Sequence, residues 1–259
     1  MTDEHGSGER ELAALRSSVG RLAAIGGGLD AGDLRRQAYP TEWAVHGVLS
    51  HLGSAAEITE HRIDSVLVAE QLDQAEVERI WAEWNAKSPE QRRDDALAAE
   101  ESLLARFDAM TSDERSSFRF EMGPLVVDLA KFVGLRVNEH VLHSWDIAVT
   151  FDAAAVIPND AVEVIVDSLG IIAGFVAKPT GTDRVITIAT SAPERAFTVT
   201  LKPDAVTFEA VEPSAAADLT LTADAFVRLV YGRLDPQHTP PFTGDADVLD
   251  ELRRVFPGV

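Results

Sequence analysis

Apolar residues recur at helical spacing through the first half of the chain. Between Glu9 and Ile25 they fall at Leu12, Leu15, Val19, Leu22 and Ala23, and the run stops at Gly26-Gly27-Gly28. Pro40-Thr41 precedes Trp43, and Thr41 is the expected N-cap of a long helix running to Glu70. Gln74 to Ala86 repeats the pattern with Val77, Ile80, Trp81 and Trp84. Ser88-Pro89 reads as an N-cap with proline at the first helical position, opening a fourth helix to about Met110. Gly123-Pro124 is expected to begin the next helix, from Leu125 to about Phe151. Long helices joined by short loops predict an antiparallel bundle.

The second half changes period. Pro158 to Val176 reads as one more helix, ended by Lys178-Pro179-Thr180-Gly181. Alternating segments follow at Arg184–Thr190, Ala196–Leu201, Val206–Val211 and Asp218–Thr222, with Lys202-Pro203-Asp204 as a turn. Thr222 is the expected N-cap of Ala223–Tyr231, which Gly232 ends. A Pro-rich loop leads to a last helix, Ala246–Phe256. The pattern predicts an α+β chain in two domains, a helical bundle over 1–152 and a smaller α/β domain over 153–259.

Composition narrows the classes of function. Of 259 residues, 46% are hydrophobic, enough for a real core, and the formal net charge is −20. So acidic a surface argues against nucleic acid or anionic lipid as partner. There is no cysteine, which excludes disulfides, thiolate-ligated metal and a thiol nucleophile of the protein's own. No apolar run reaches membrane-spanning length, and Met1–Arg10 is polar and acidic, unlike a signal peptide; the expected location is the cytoplasm.

The chemistry concentrates in two helical segments. Five of the seven histidines lie there: His46, His51 and His61 on the second helix, His140 and His143 on the fifth. Glu139 and His143 are four residues apart, so a helix stacks them on one face, where both can reach one divalent cation. One histidine from a facing helix would complete a three-ligand site with an open position, the arrangement of catalytic zinc. His51 lies among Val48, Leu49 and Leu52 and can point into the bundle. His46 is about 140° round the same helix from it, and His61 faces a third direction. Helix geometry leaves all three as candidates, and a Glu/His pair of this kind also serves as an ordinary core hydrogen bond. His5 and His238 have no argument in their favour.

Two stretches carry a resemblance. Trp43-Ala44-Val45-His46-Gly47-Val48-Leu49-Ser50-His51-Leu52 and Asn138-Glu139-His140-Val141-Leu142-His143-Ser144-Trp145-Asp146 resemble the mycothiol-dependent maleylpyruvate isomerase family, a branch of the DinB-like helical bundles. That family's pattern is a Trp followed eight residues later by a ligand His, then a distant E-x-x-x-H with an Asp beyond it. The resemblance implies His51, Glu139 and His143 as metal ligands, with zinc the expected ion. Asp146, three residues after His143 on nearly the same face, can accept from a ligand imidazole or pair with a surface Arg. Trp43 and Trp145 are expected to pack, and His140 to line the site or face solvent. In the second half, Ala217–Leu221, Phe226–Arg233 and Phe242–Asp245 resemble the family's C-terminal domain, which is similar to sterol carrier proteins. There the resemblance places Arg233 towards substrate, where a planar guanidinium can hold a carboxylate. On its own, Arg233 could equally complement the end of its helix.

The implied activity is that of a metal-dependent enzyme using mycothiol. An open metal site lowers the pKa of a bound thiol, and the thiolate adds to an electron-poor double bond. Rotation and expulsion make the enzyme an isomerase; release of the adduct makes it an S-transferase. The expected partners are thus an electrophilic small molecule and a low-molecular-weight thiol. From a different class, the C-terminal domain could be a non-catalytic carrier of a small molecule or lipid, with the helices as scaffold. A zinc hydrolase is a third reading, and only Asp146 offers it a general base.

Overall fold

A computed structural model describes residues 8–258, apart from 71, 124, 214 and 215. The fold is α+β, helices first and a strand-rich part after them. The chain divides into two compact units between Ala155 and Val156. Among the described residues no helix is long and apolar enough to cross a membrane. His5 and Pro124 lie outside the described residues.

The first unit is built on four long helices: α1 (Glu9–Gly26), α2 (Val45–Leu67), α4 (Pro89–Asp108) and α6 (Leu129–Phe151). α2 packs on α4 and α6, α1 packs on α6 and α4, and α3 (Gln74–Ala86) leans on α2. The apolar stripes do this: Leu22, Val45, Val48, Leu49, Leu52, Ile80, Trp84 and Ala96 meet in one buried cluster. Ser88 caps α4 as expected, in a capping box with Gln91.

Two helix starts differ from the sequence reading. α2 starts at Val45, not after Thr41, because residues 37–44 fold back on themselves. Ala38 N–H donates to the Trp43 carbonyl at 3.0 Å, Val45 N–H to Arg36 at 2.9 Å, and the Gln37 amide to Trp43 at 2.6 Å. The Thr41 hydroxyl instead donates to Glu42 at 3.1 Å. α6 starts at Leu129, capped by Asp128, whose Oδ1 accepts from Lys131 N–H at 2.9 Å. Residues expected in its first turn form a hairpin, with β1 (Phe120–Met122) antiparallel to β2 (Leu125–Val127). A short helix that the sequence reading lacks, α5 (Ser112–Ser117), precedes it in a Thr111–Glu114 capping box.

In the second unit the expected single helix is two, α7 (Asn159–Val166) and α8 (Leu169–Val176), with the chain turning at Asp167 and Ser168. The Asp167 carboxylate accepts from Arg195 at 2.8 Å, and the Ser168 hydroxyl bonds back to the Ile165 carbonyl. The four expected strands are present as β3 (Arg184–Ser191), β4 (Arg195–Lys202), β5 (Ala205–Val211) and β6 (Leu219–Thr222). With β7 (Thr243–Gly244) they form a sheet of order β5-β4-β3-β6-β7, antiparallel except for β3 beside β6. α9 (Ala223–Val230) is capped by Thr222 as expected, and α10 (Ala246–Val255) closes the unit. The rings of Phe197, Phe208, Phe226 and Phe256 pack at centroid distances of 4.9 to 6.5 Å in its core.

Candidate metal centre

α2 and α6 lie side by side, and each brings its polar residues to the same edge. On α2 the stripe Val45, Val48, Leu49 and Leu52 is fully buried, which leaves His51 on the flank, half-buried. On α6, Glu139 and His143 stand one turn apart on the facing edge. The His51 Nε2 lies 3.1 Å from Glu139 Oε2, and the His143 Nε2 lies 3.7 Å from the same oxygen. The two imidazole rings are 4.5 Å apart between centroids. One ligand atom from each of the three residues falls within 4.8 Å of the others.

The surroundings set the orientation and charge of these groups. Asp146, fully buried, accepts from His143 Nδ1–H at 2.9 Å. That bond turns the Nε2 lone pair of His143 towards Glu139. Burial lowers the His143 pKa, against the pull of the Asp146 hydrogen bond, and favours the neutral imidazole that ligates metal. Desolvation pushes the Glu139 carboxyl up, but the His51 hydrogen bond and the fields of His143, His51 and Arg136 outweigh it. The carboxyl is held down at about 2. The Trp43 ring, delivered by the folded 37–44 segment, lies 5.1 Å from the His51 ring and 5.7 Å from that of His143. Two imidazoles and one carboxylate, converging from two helices with the Glu139 side chain 53% exposed, suit a divalent ion that keeps an open coordination position.

The remaining candidates separate. His46 accepts from Arg92 Nη1 at 2.9 Å, away from the trio. His140 is neither lining nor exposed: it is fully buried on the other side of α6, with Nδ1 2.8 Å from the Ser18 hydroxyl. Trp145 packs as expected, with its indole N–H donating to the Ala155 carbonyl at 2.8 Å. Arg136, which the sequence reading did not single out, stands one turn before Glu139. Its guanidinium donates to the Leu52 carbonyl at 3.1 Å and pairs with the buried Glu100 of α4. It thereby ties α6 to α2 beside His51. Arg233 is buried just after α9, past the left-handed turn at Gly232, and its Nη1 donates to the Tyr231 carbonyl at 3.0 Å.

The model of the mycothiol maleylpyruvate isomerase N-terminal domain matches residues 15–148, more than half of the chain and the whole of the candidate centre. The chain belongs to this family. Two solved structures of mycothiol-dependent maleylpyruvate isomerase share the fold. One superposes with a TM-score of 0.65 at 15% identity, over 90% of this chain and 95% of that one. The other, of a histidine-to-alanine mutant, gives 0.67 at 14% identity, over 92% and 94%. Among curated proteins none matches the sequence. The mycothiol maleylpyruvate isomerase family thus accounts for the helical unit by sequence, and its solved structures share the fold of both units.

Proposed function

We propose that this member of the maleylpyruvate isomerase family is a metal-dependent isomerase or S-transferase that uses mycothiol to attack an electron-poor small acid. The observation that carries the reading is the convergence of the His51, Glu139 and His143 ligand atoms at the open α2–α6 edge. These three residues would hold the ion, zinc being the favoured one, while Asp146 keeps the His143 proton on Nδ1. With a divalent cation bound, the site would carry a net +1 charge, leave a coordination position open and lower the pKa of an incoming thiol.

The chain has no cysteine, so the nucleophile must be the external thiol. Its thiolate adds to a carbon of the conjugated double bond, and the electron pair moves onto the substrate's carbonyl oxygen. After rotation about the new single bond, the pair returns and expels the thiolate, leaving the trans isomer. If the adduct takes up a proton instead, it departs as a thioether, and the reaction is a transfer. Arg233 would hold a substrate carboxylate. It already serves its own helix end, so its test is a comparison of Arg233→Lys with wild type, in which a bidentate role predicts a raised KM. A cytoplasmic location goes with this reading. The carrier alternative gains little support, since four phenylalanine rings occupy the core of the second unit.

Metal content of untagged protein tests the reading. About one zinc per chain is expected, lost in both His51→Ala and Glu139→Ala. Zinc-supplied wild type that holds no metal would overturn it.

A further inference from the structure

Next to the candidate centre, residues 42–44, α2, α3 and the first turn of α4 line an open cavity of about 360 Å³, in the size range of small-ligand sites. His51 forms part of its wall. Three of the chain's four tryptophans also line it: Trp43, Trp81 and Trp84. Trp84 is fixed, 3% exposed, with its indole N–H donating to Glu57 at 2.7 Å. Trp81, one turn earlier on α3, is 46% exposed, a large apolar surface left open at a cavity rim.

The polar groups on this wall decide what the cavity can take. Arg92 supplies a guanidinium, but it already donates to His46 Nδ1 at 2.9 Å and to the Asn85 carbonyl at 2.5 Å. Burial and the charges of Arg92 and Arg35 lower the His46 pKa and keep that ring neutral. Glu42 adds a carboxylate acceptor at the same wall, so donors and acceptors of both kinds stand between the indole faces, with Arg92 already committed to anchoring α4. Such a wall suits an uncharged ring with many hydroxyls. The ring's C–H bonds, slightly positive, pack on the negative indole faces, and its hydroxyls trade hydrogen bonds with imidazole and amide.

We infer that this indole-lined cavity binds a polyhydroxylated ring, the sugar portion of the thiol cofactor, leaving the sulfur end at the His51 wall. The inference rests on the proposed use of mycothiol and adds where the thiol's body lies and which residues hold it. Trp81 is the principal contact, because it alone of the three indoles presents a large open surface.

The test uses the full-length, zinc-supplied protein and three probes: mycothiol, N-acetylcysteine as the thiol without sugar, and glucosaminyl-inositol as the sugar without thiol. Saturation-transfer NMR on the thiol-free sugar should show transfer to its ring protons in wild type. Trp81→Ala and Asn85→Ala should each weaken it, the first by about tenfold or more, with metal content and urea midpoint unchanged. Mycothiol should bind at least about tenfold more tightly than N-acetylcysteine, and Trp81→Ala should erase that advantage. No transfer in wild type, or equal transfer in wild type and Trp81→Ala, overturns the assignment even if both thiols bind. Sugar binding that depends on Trp81 while neither thiol binds would uphold the cavity and defeat the thiol reading.

Discussion

Gly53, two residues after His51, lies against the Trp84 ring of α3. In the interior of an exposed helix, alanine would be favoured over glycine by about 1 kcal/mol. Here a Cβ would fall 2.9 Å from Cζ2 of Trp84 and closer still to Cη2 and Cζ3. The indole has little freedom to yield. Its N–H donates to the Glu57 carboxylate at 2.7 Å, and the Lys87 ammonium sits 3.5 Å above the ring. Overpacking of this kind costs about 1–3 kcal/mol. Loss of a hydrogen bond to a charged acceptor adds about 1.5–3 kcal/mol if the ring swings out. Net of propensity, and with the ring displaced, Gly53→Ala is expected to destabilise the helical unit by about 1.5–5 kcal/mol.

The assay follows from where the fluorophores lie. All four tryptophans, at 43, 81, 84 and 145, belong to the first unit, so their emission in urea reports its unfolding alone. Gly53→Ala should lower the urea midpoint with an unchanged slope. Trp84→Leu removes the clashing atoms and leaves a cavity of its own. The double variant should then be little worse than Trp84→Leu alone, since residues in contact do not add. A midpoint that holds or rises in Gly53→Ala, or additive losses in the pair, would refute the packing argument.

Three further outcomes are expected. Asp146→Ala should lower zinc affinity by about 10–100-fold in titration calorimetry, because the His143 ring loses the bond that orients it; unchanged affinity would remove Asp146 from the centre. In metal-free protein, the Glu139 pKa is depressed from 4.5 to about 2, so its stabilising contribution is present above pH 4.5 and is lost as pH falls towards 2. Urea midpoints of Glu139→Gln should therefore be less steep than wild type across that window, and parallel curves would contradict the assignment. Glu100→Ala strands the guanidinium of Arg136, itself 4% exposed at the side chain, and should cost about 3–5 kcal/mol by tryptophan emission in urea; a loss below about 1 kcal/mol would mean that the pair is not what joins the helices.

The bundle and the positions of four strands were legible because periodicity records which face of an element is buried. The errors fall where periodicity is silent. Leu125-Val126-Val127 reads equally as a first helical turn or a buried strand, and only its pairing with Phe120–Met122 decides between them. The run from Ala161 to Val176 is broken by Asp167-Ser168, a turn signal outweighed in the sequence reading by the apolar residues on both sides of it. Thr41 is a good capping residue in the wrong place, since the carbonyls and amides around it are engaged in the fold-back of residues 37–44. The candidate centre was legible in part. Glu139 and His143 declare themselves by spacing, but the choice of His51 over His46 and His61 came from the family resemblance. In the structure that choice depends on packing, which turns His46 towards Arg92. His140 was misjudged because α6 is buried on most of its circumference, so polarity there says little about exposure.

The turn that carries Arg233 has an unexpected neighbour. Gly232 holds φ at 69°, and a side chain there would run into the backbone of Pro257 and Gly258. The last described residues are thus laid against the turn, backbone on backbone, and serve as its outer wall. A tag that displaced Pro257 or Gly258 would disturb the arginine loop with them. Kinetic work on this protein is better done with the tag at the other end, and a tag-dependent KM would itself be a sign that this wall had moved.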